Sequence, residues 1–137
     1  MKVNISKFYK KKDQTIKVEI HPHDTYSLFS TLSHIIHPAL IAFKKERKKM
    51  PGVPIQFFND DDEIDPKTGS HTNRAVDKAE KRYIEFLDES IWAFGQISND
   101  CRYELDLPLN SAALKAYHIR LENALENFGR HFQTLWW

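Results

Sequence analysis

The chain has 137 residues, enough for one domain with a real core, in which folding buries roughly 65–70% of the surface the unfolded form exposes. Its 20 Lys and Arg against 19 Asp and Glu leave a net charge of +1, so no global field draws nucleic acid or an anionic membrane, and any attraction to anions has to be local. The single Cys101 excludes an intramolecular disulfide framework and a multi-cysteine metal site within one chain, and favours a reducing compartment.

No stretch approaches the ~20 apolar residues of a membrane span, and the opening "MKVNISKFYKKKDQ" lacks the apolar run of a signal peptide. A soluble, cytoplasmic protein is expected. "KVNISKF" and "TIKVEI" alternate apolar and polar residues around "YKKKDQ", which predicts an antiparallel hairpin within residues 1–22. Asp24, Thr25 and Ser27 then offer N-cap chemistry for a first long helix over 25–50, with Leu28, Leu32, Ile36, Ala39 and Phe43 along one stripe. Pro38 inside it removes a bond to the carbonyl of His34 and predicts a kink. Residues 51–70, rich in Pro, Gly and acid, have loop composition, and loops of that length are more often functional or mobile than inert.

A second long helix is expected over 71–98, starting near Ser70 or Thr72. An irregular connector follows, and then a third helix over 111–136, capped by Asn110 or Ser111. In that third helix Leu114, His118, Leu121, Leu125, Phe128, Phe132 and Leu135 recur at spacings of four and three, as in an antiparallel bundle. The predicted fold class is mainly α, a single domain in which three long helices bundle beside a small N-terminal β-hairpin.

The second helix contains an anomaly. At about 100° per residue, Tyr83, Ile84, Leu87, Ile91 and Phe94 share an apolar arc, while Trp92 lands opposite, among Glu85, Asp88, Glu89 and Gln96. An indole exposed among carboxylates wastes a large apolar area, whereas a subunit interface or a ligand pocket uses it. The acids themselves admit two readings: a solvated face beside Lys78, Lys81 and Arg82, or a divalent-cation site of Glu85, Asp88 and Glu89 serving nucleotide hydrolysis. On the third helix Arg120, Asn123, Asn127, Arg130, His131 and Thr134 gather opposite the seam. They form either an ordinary polar face or donors for a phosphate or carboxylate. Gly129 among them suggests close approach by another element, and His118 in the seam reads as a hydrogen-bonded core residue.

His21 with His23, and His34 with His37, are spaced as neighbours and are the only candidates for an imidazole metal site. No zinc signature accompanies them, and neither a stoichiometric metal nor a cofactor is expected. "KKERKK" closes the first helix with positive charge that suits its dipole, but it is short and lacks interleaved aromatics, which argues against nucleic acid as a partner. The terminal Trp136 and Trp137, with Trp92, are too much indole for the outside of a small monomer, so a homo-oligomer is expected.

Three blocks, "HDTYSLFSTLSHIIHPAL", "FLDESIWAFGQI" and "RLENALENFGRHFQTLW", resemble a functionally uncharacterised family of small tailed-bacteriophage proteins. That family carries DTW-x-x-D-x-TLAHIILPML, LDEMIWAFEQ and R-I-x-NGLRLFGKYYQ-x-LW. The resemblance covers most of the three helices and picks out Asp24, Thr25, His34, Pro38, Asp88, Glu89, Trp92, Gln96, Arg120, Asn123 and Gly129, among others. Tyr26 stands where the family has Trp, an exchange that keeps an aromatic plate. His37 replaces an aliphatic residue and the His21–His23 pair has no counterpart, which weighs against a metal site. The resemblance implies a bacteriophage origin and the cytoplasm of an infected host, and supplies no catalytic residues.

Taken together, these features predict a shared polar and aromatic site of Trp92, Asp88, Gln96, Arg120, Asn123, Arg130, His34 and Tyr26. The leading expectation is a homo-oligomeric accessory protein that sequesters an anionic small molecule, such as a nucleotide signal, or occupies a host protein. A metal-dependent nucleotide hydrolase and a virion or assembly adaptor are the alternatives.

Overall fold

The computed structural model describes residues 2–5, 16–49 and 52–135. Two short strands, β1 (Lys2–Ile5) and β2 (Ile16–Glu19), pair antiparallel with Lys2 opposite Glu19 and Val3 opposite Val18. The predicted hairpin is therefore present, and its connecting residues 6–15 lie outside the described residues. β2 is exposed along its whole length. A 3-10 turn, Pro22–Thr25, follows and is closed reciprocally. The His23 backbone N–H donates to His21 Nδ1 at 3.4 Å, and the His21 N–H donates to Asp24 Oδ2 at 2.7 Å.

Helix α1 spans Leu28–Arg47, shorter at both ends than the expected 25–50. Ser27 holds the N-cap position without a side-chain bond, and Thr31 reaches back instead, its hydroxyl donating to the Asp24 carbonyl at 3.2 Å. The helix runs unbroken past Pro38. Helix α2 (Asn73–Ser98) is capped by Thr72, whose hydroxyl oxygen accepts from the Ala75 N–H at 3.3 Å. The connector is not wholly irregular: Asp100 and Cys101 adopt left-handed backbone, φ 56° and 52°, and turn the chain into a short helix α3 (Arg102–Leu105). Helix α4 (Ala112–His131) begins at Ser111, whose hydroxyl oxygen accepts from Leu114 N–H at 3.1 Å, and ends in a 3-10 turn, Phe132–Thr134. Trp136 and Trp137 lie outside the described residues.

The long helix α2 is the spine, and α1 and α4 each pack against it. Because two neighbours must be served, α2 buries more than one arc: Ala79, Tyr83, Phe86, Leu87, Ser90, Ala93 and Ile97 are all buried. The α1–α2 approach is closest at Gly95, where a Cβ would come within 3.0 Å of His37 Nε2. Nothing lies within 4 Å of a Cβ at Gly129, so the tight contact belongs to Gly95, which the helical pattern had hidden among larger residues.

Residues 52–70, expected as a loop, are anchored to the body of the protein at two points. A 3-10 turn, Ile55–Phe57, drives the Phe57 ring into the core, 4.7 Å from Tyr83, 5.4 Å from Phe86 and 4.8 Å from His131. Asp62, 5% exposed, receives both ends of the Arg82 guanidinium at 2.6 and 3.2 Å. Those bonds, with a backbone bond from the Asn59 N–H, hold its carboxyl down at about 2, against an ordinary value of 3.8. Arg82 is thereby withdrawn from the solvated face predicted for it.

Buried Arg47 ties the end of α1 to this layer. It donates to the Gly52 carbonyl at 2.7 Å and to Glu80 at 3.3 Å, and its guanidinium lies 4.4 Å over the Tyr83 ring. The Tyr83 hydroxyl in turn donates to the Thr134 carbonyl at 2.8 Å, anchoring the end of α4.

The seam of α4 is rotated from the predicted one. Tyr117 and Ala124 are buried and His131 is half-buried beside the predicted Leu114, Leu121, Leu125, Phe128 and Leu135, also half-buried, whereas the predicted His118 and Phe132 face water. His131, predicted on the polar face, packs against Phe57 and Phe86, and burial pushes its pKa down. His118 is hydrogen-bonded as expected, to Glu104 at 3.0 Å, but at the surface.

Candidate ligand-binding cleft

Trp92 and Gln96 sit one turn apart on α2, and Tyr117 and Arg120 sit three apart on α4, so each pair projects from one face of its helix. Where α2, α3 and α4 come together these four, with Tyr103, Ala113 and Ala116, line a cavity of about 370 Å³. The Arg120 guanidinium lies 3.8 Å from the centre of the Trp92 ring. Its orientation is fixed from the side: Nε and Nη2 donate to the two carboxylate oxygens of Glu89 at 2.8 and 2.7 Å. The fork lowers the Glu89 pKa and raises that of Arg120. Trp92 is thus covered from within its own chain, and the edge of Tyr117 meets its ring at 5.8 Å.

The Tyr117 hydroxyl is buried and has no hydrogen-bond partner. Burial raises its pKa, and its coupling to the Cys101 thiol raises it further. Tyr103 closes the opposite wall, 5.8 Å from the Tyr117 ring and 57% exposed. A second hollow of about 420 Å³ adjoins the first through Ala116 and Arg120 and is lined beyond them by Glu89, Asn123 and Asn127.

Of the eight residues predicted to share a site, Trp92, Gln96 and Arg120 line the cleft, and Asn123 flanks it in the second hollow. The other four do not join them. Asp88 is paired with Lys44 of α1. Arg130 pairs along its own helix with Glu126 at 2.7 Å. His34 is exposed on α1 and bonded to the Ser30 carbonyl at 2.8 Å. Tyr26 is 82% exposed, 5.5 Å from the His23 ring. The reason is the same in each case: helical spacing gives a residue's face but not which neighbour covers it.

Glu85, Asp88 and Glu89 are likewise divided. Asp88 goes to Lys44 and Glu89 to Arg120, while Glu85 is left beside Glu89 in a hollow lined also by Phe57 and His131. His21 and His23 stack at 5.2 Å, away from His37 over Gly95. Among the described residues no group of three or more His, Cys, Asp and Glu side chains is placed to hold a metal ion, and no helix is long and apolar enough to cross a membrane.

Tyr103 and Tyr117 were missed. Tyr117 was legible, being three residues before Arg120, but the heptad seam drew attention to His118 instead. Tyr103 carried no signal, because its position depends on the left-handed turn at Asp100 and Cys101. Comparison of the chain with protein-family models, curated proteins and solved structures returned no match.

Proposed function

We propose that the chain acts by binding, and that it holds a small planar molecule of the nucleotide class in the cleft between α2 and α4. One observation carries this reading. A guanidinium stacked on an indole, and locked there by a carboxylate fork, walls a cavity of about 370 Å³ with two further aromatic rings. Such a stack presents its outer face to a flat ring, at an aromatic or cation–π benefit of roughly 0.5–2 kcal/mol per contact.

The charge balance refines the expected ligand. Glu89 neutralises Arg120 and occupies two of its donors, so Nη1 is left for the ligand, together with the Gln96 amide. Recognition therefore rests on the ring more than on a phosphate, and an anionic tail would run past Arg120 toward Asn123 and Asn127. The buried Tyr117 hydroxyl, beside the Cys101 thiol, adds an incentive, since a buried polar group short of good partners costs up to about 1–3 kcal/mol, which a ligand acceptor relieves.

The pairing of Asp88 with Lys44 and of Glu89 with Arg120 favours retention over hydrolysis, since both carboxylates are already neutralised. The resemblance to small phage proteins supports reading the chain as an accessory protein made inside an infected cell, where holding a signalling nucleotide withdraws it from the host. Incubation with a nucleotide panel, followed by gel filtration and mass spectrometry of the retained fraction, tests the proposal. Intact ligand held by the wild type and lost in Trp92→Ala is expected. Conversion to product indicates the hydrolase, and no retention leaves an adaptor without a small-molecule site.

A further inference from the structure

Helix α1 carries two apolar stripes, and α2 covers only one of them. Ser33, Leu40 and Arg47 recur every seven residues and are buried against the body of the protein. About 140° round the helix a second series, Leu28, Leu32, Ile35, Ala39 and Ala42, recurs at spacings of four, three, four and three, and every member is exposed. This is the spacing by which one helix receives another, knobs into holes. We propose that the stripe is the contact between two copies of the chain, related by a two-fold axis that passes beside Ile35, with the two α1 helices antiparallel.

Three features select a second copy over another occupant, and antiparallel over parallel. The stripe is large at one end and small at the other. Turned about Ile35 it sets Ile35 against its own copy, Leu28 against the partner's Ala42 and Leu32 beside the partner's Ala39, so that large meets small on either side of the axis and the patch is self-complementary. The C-terminal end of helix α1 is also basic, with exposed Lys45 in its last turn and Lys48 and Lys49 directly after it. A parallel pair would bring the two basic ends side by side, whereas an antiparallel pair parts them by about 30 Å, the length of a 20-residue helix, and opposes the helix dipoles favourably.

Exposure agrees: Leu28, Leu32 and Ile35 are 43%, 40% and 37% exposed, and Tyr26 and Phe29, next to Leu28 in the chain, are 82% and 66% exposed. This surface is distinct from the Trp92 cleft, and the inference does not rest on the ligand.

Sedimentation equilibrium at tens of micromolar should return a dimer for the wild type and a monomer for Ile35→Glu, with the dissociation constant raised at least a hundredfold and helical circular dichroism retained. Disulfide trapping in a Cys101→Ser background then reads the register, whether or not Ile35→Glu folds. Ile35→Cys should cross-link to itself under mild oxidation, Leu28→Cys alone should not, and Leu28→Cys combined with Ala42→Cys should. A folded wild-type monomer at these concentrations overturns the proposal and leaves the stripe to a different partner. A dimer that survives Ile35→Glu, or a Leu28→Cys chain that cross-links to itself, overturns it in favour of another interface or a parallel pair.

Discussion

Removing the Arg120 side chain separates a binding role from a structural one, because its structural worth is bounded. In Arg120→Ala the fork to Glu89 and the stack on Trp92 are both lost. The pair is about half exposed, 50% for Arg120 and 44% for Glu89, which limits the ion pair to roughly 0.2–1 kcal/mol. The cation–π contact at such a site adds roughly 0.5–1 kcal/mol. The expected loss of folding stability is therefore about 1–2 kcal/mol, or roughly 3–8 °C in melting temperature for a chain of this size. Urea unfolding of wild type, Arg120→Ala, Glu89→Gln and the double variant gives the coupling between the two side chains, expected at no more than about 1 kcal/mol. Ligand retention should fall at least tenfold in Arg120→Ala at a temperature where the variant is folded. A stability loss of 3 kcal/mol or more would refute the reasoning, because Arg120 would then be holding the helices together. Unchanged retention in the folded variant would refute it from the other side.

Three further outcomes follow from the packing. Phe57→Ala should cost about 3–5 kcal/mol in urea unfolding, the ordinary cost of emptying a buried aromatic site, and a loss below 1 kcal/mol would mean that residues 52–70 are not anchored by that ring. The Asp62 carboxyl is held near 2 when folded, against 3.8 unfolded, so its contribution is complete above about pH 4 and is lost as pH falls toward 2. Asp62→Asn should flatten stability against pH across that window, and an unchanged slope would show that the Arg82 pair does not form. Gly129→Ala, with open space around the new methyl, should stabilise α4 by about 0.5–1 kcal/mol, whereas Gly95→Val, driven against His37, should destabilise by about 1–3 kcal/mol.

The hairpin, the three long helices and two of their caps were legible in the sequence, because periodicity and capping are local properties of the chain. Trp92 was recognised as out of place on the same basis. What covers it was not legible: helical spacing leaves Glu89 open to a solvated face or a cation site, and it forms instead the fork that aims Arg120. The seam of α4 was displaced for a related reason. Tyr117 and Ala124 are buried only because α2 crosses α4 there, and the larger Leu125 and Phe132 gave the stronger periodic signal. The anchoring of the loop was not legible because its composition, rich in Asp and Pro, conceals one ring and one carboxylate that make long-range contacts. Asp62 and Arg82 are 20 residues apart, and no local pattern joins them.

The account stands most directly on retention of a nucleotide-class ligand by the Trp92 cleft. Wild-type protein and Trp92→Ala, each verified as folded by circular dichroism, are equilibrated with a nucleotide panel and freed of unbound ligand by rapid gel filtration. Each retained fraction is then heat-denatured and its supernatant analysed by mass spectrometry. One intact ligand approaching one equivalent per wild-type chain, and reduced at least tenfold in Trp92→Ala, is the result predicted. Equal retention by both proteins, or none by the wild type at millimolar nucleotide, would contradict it.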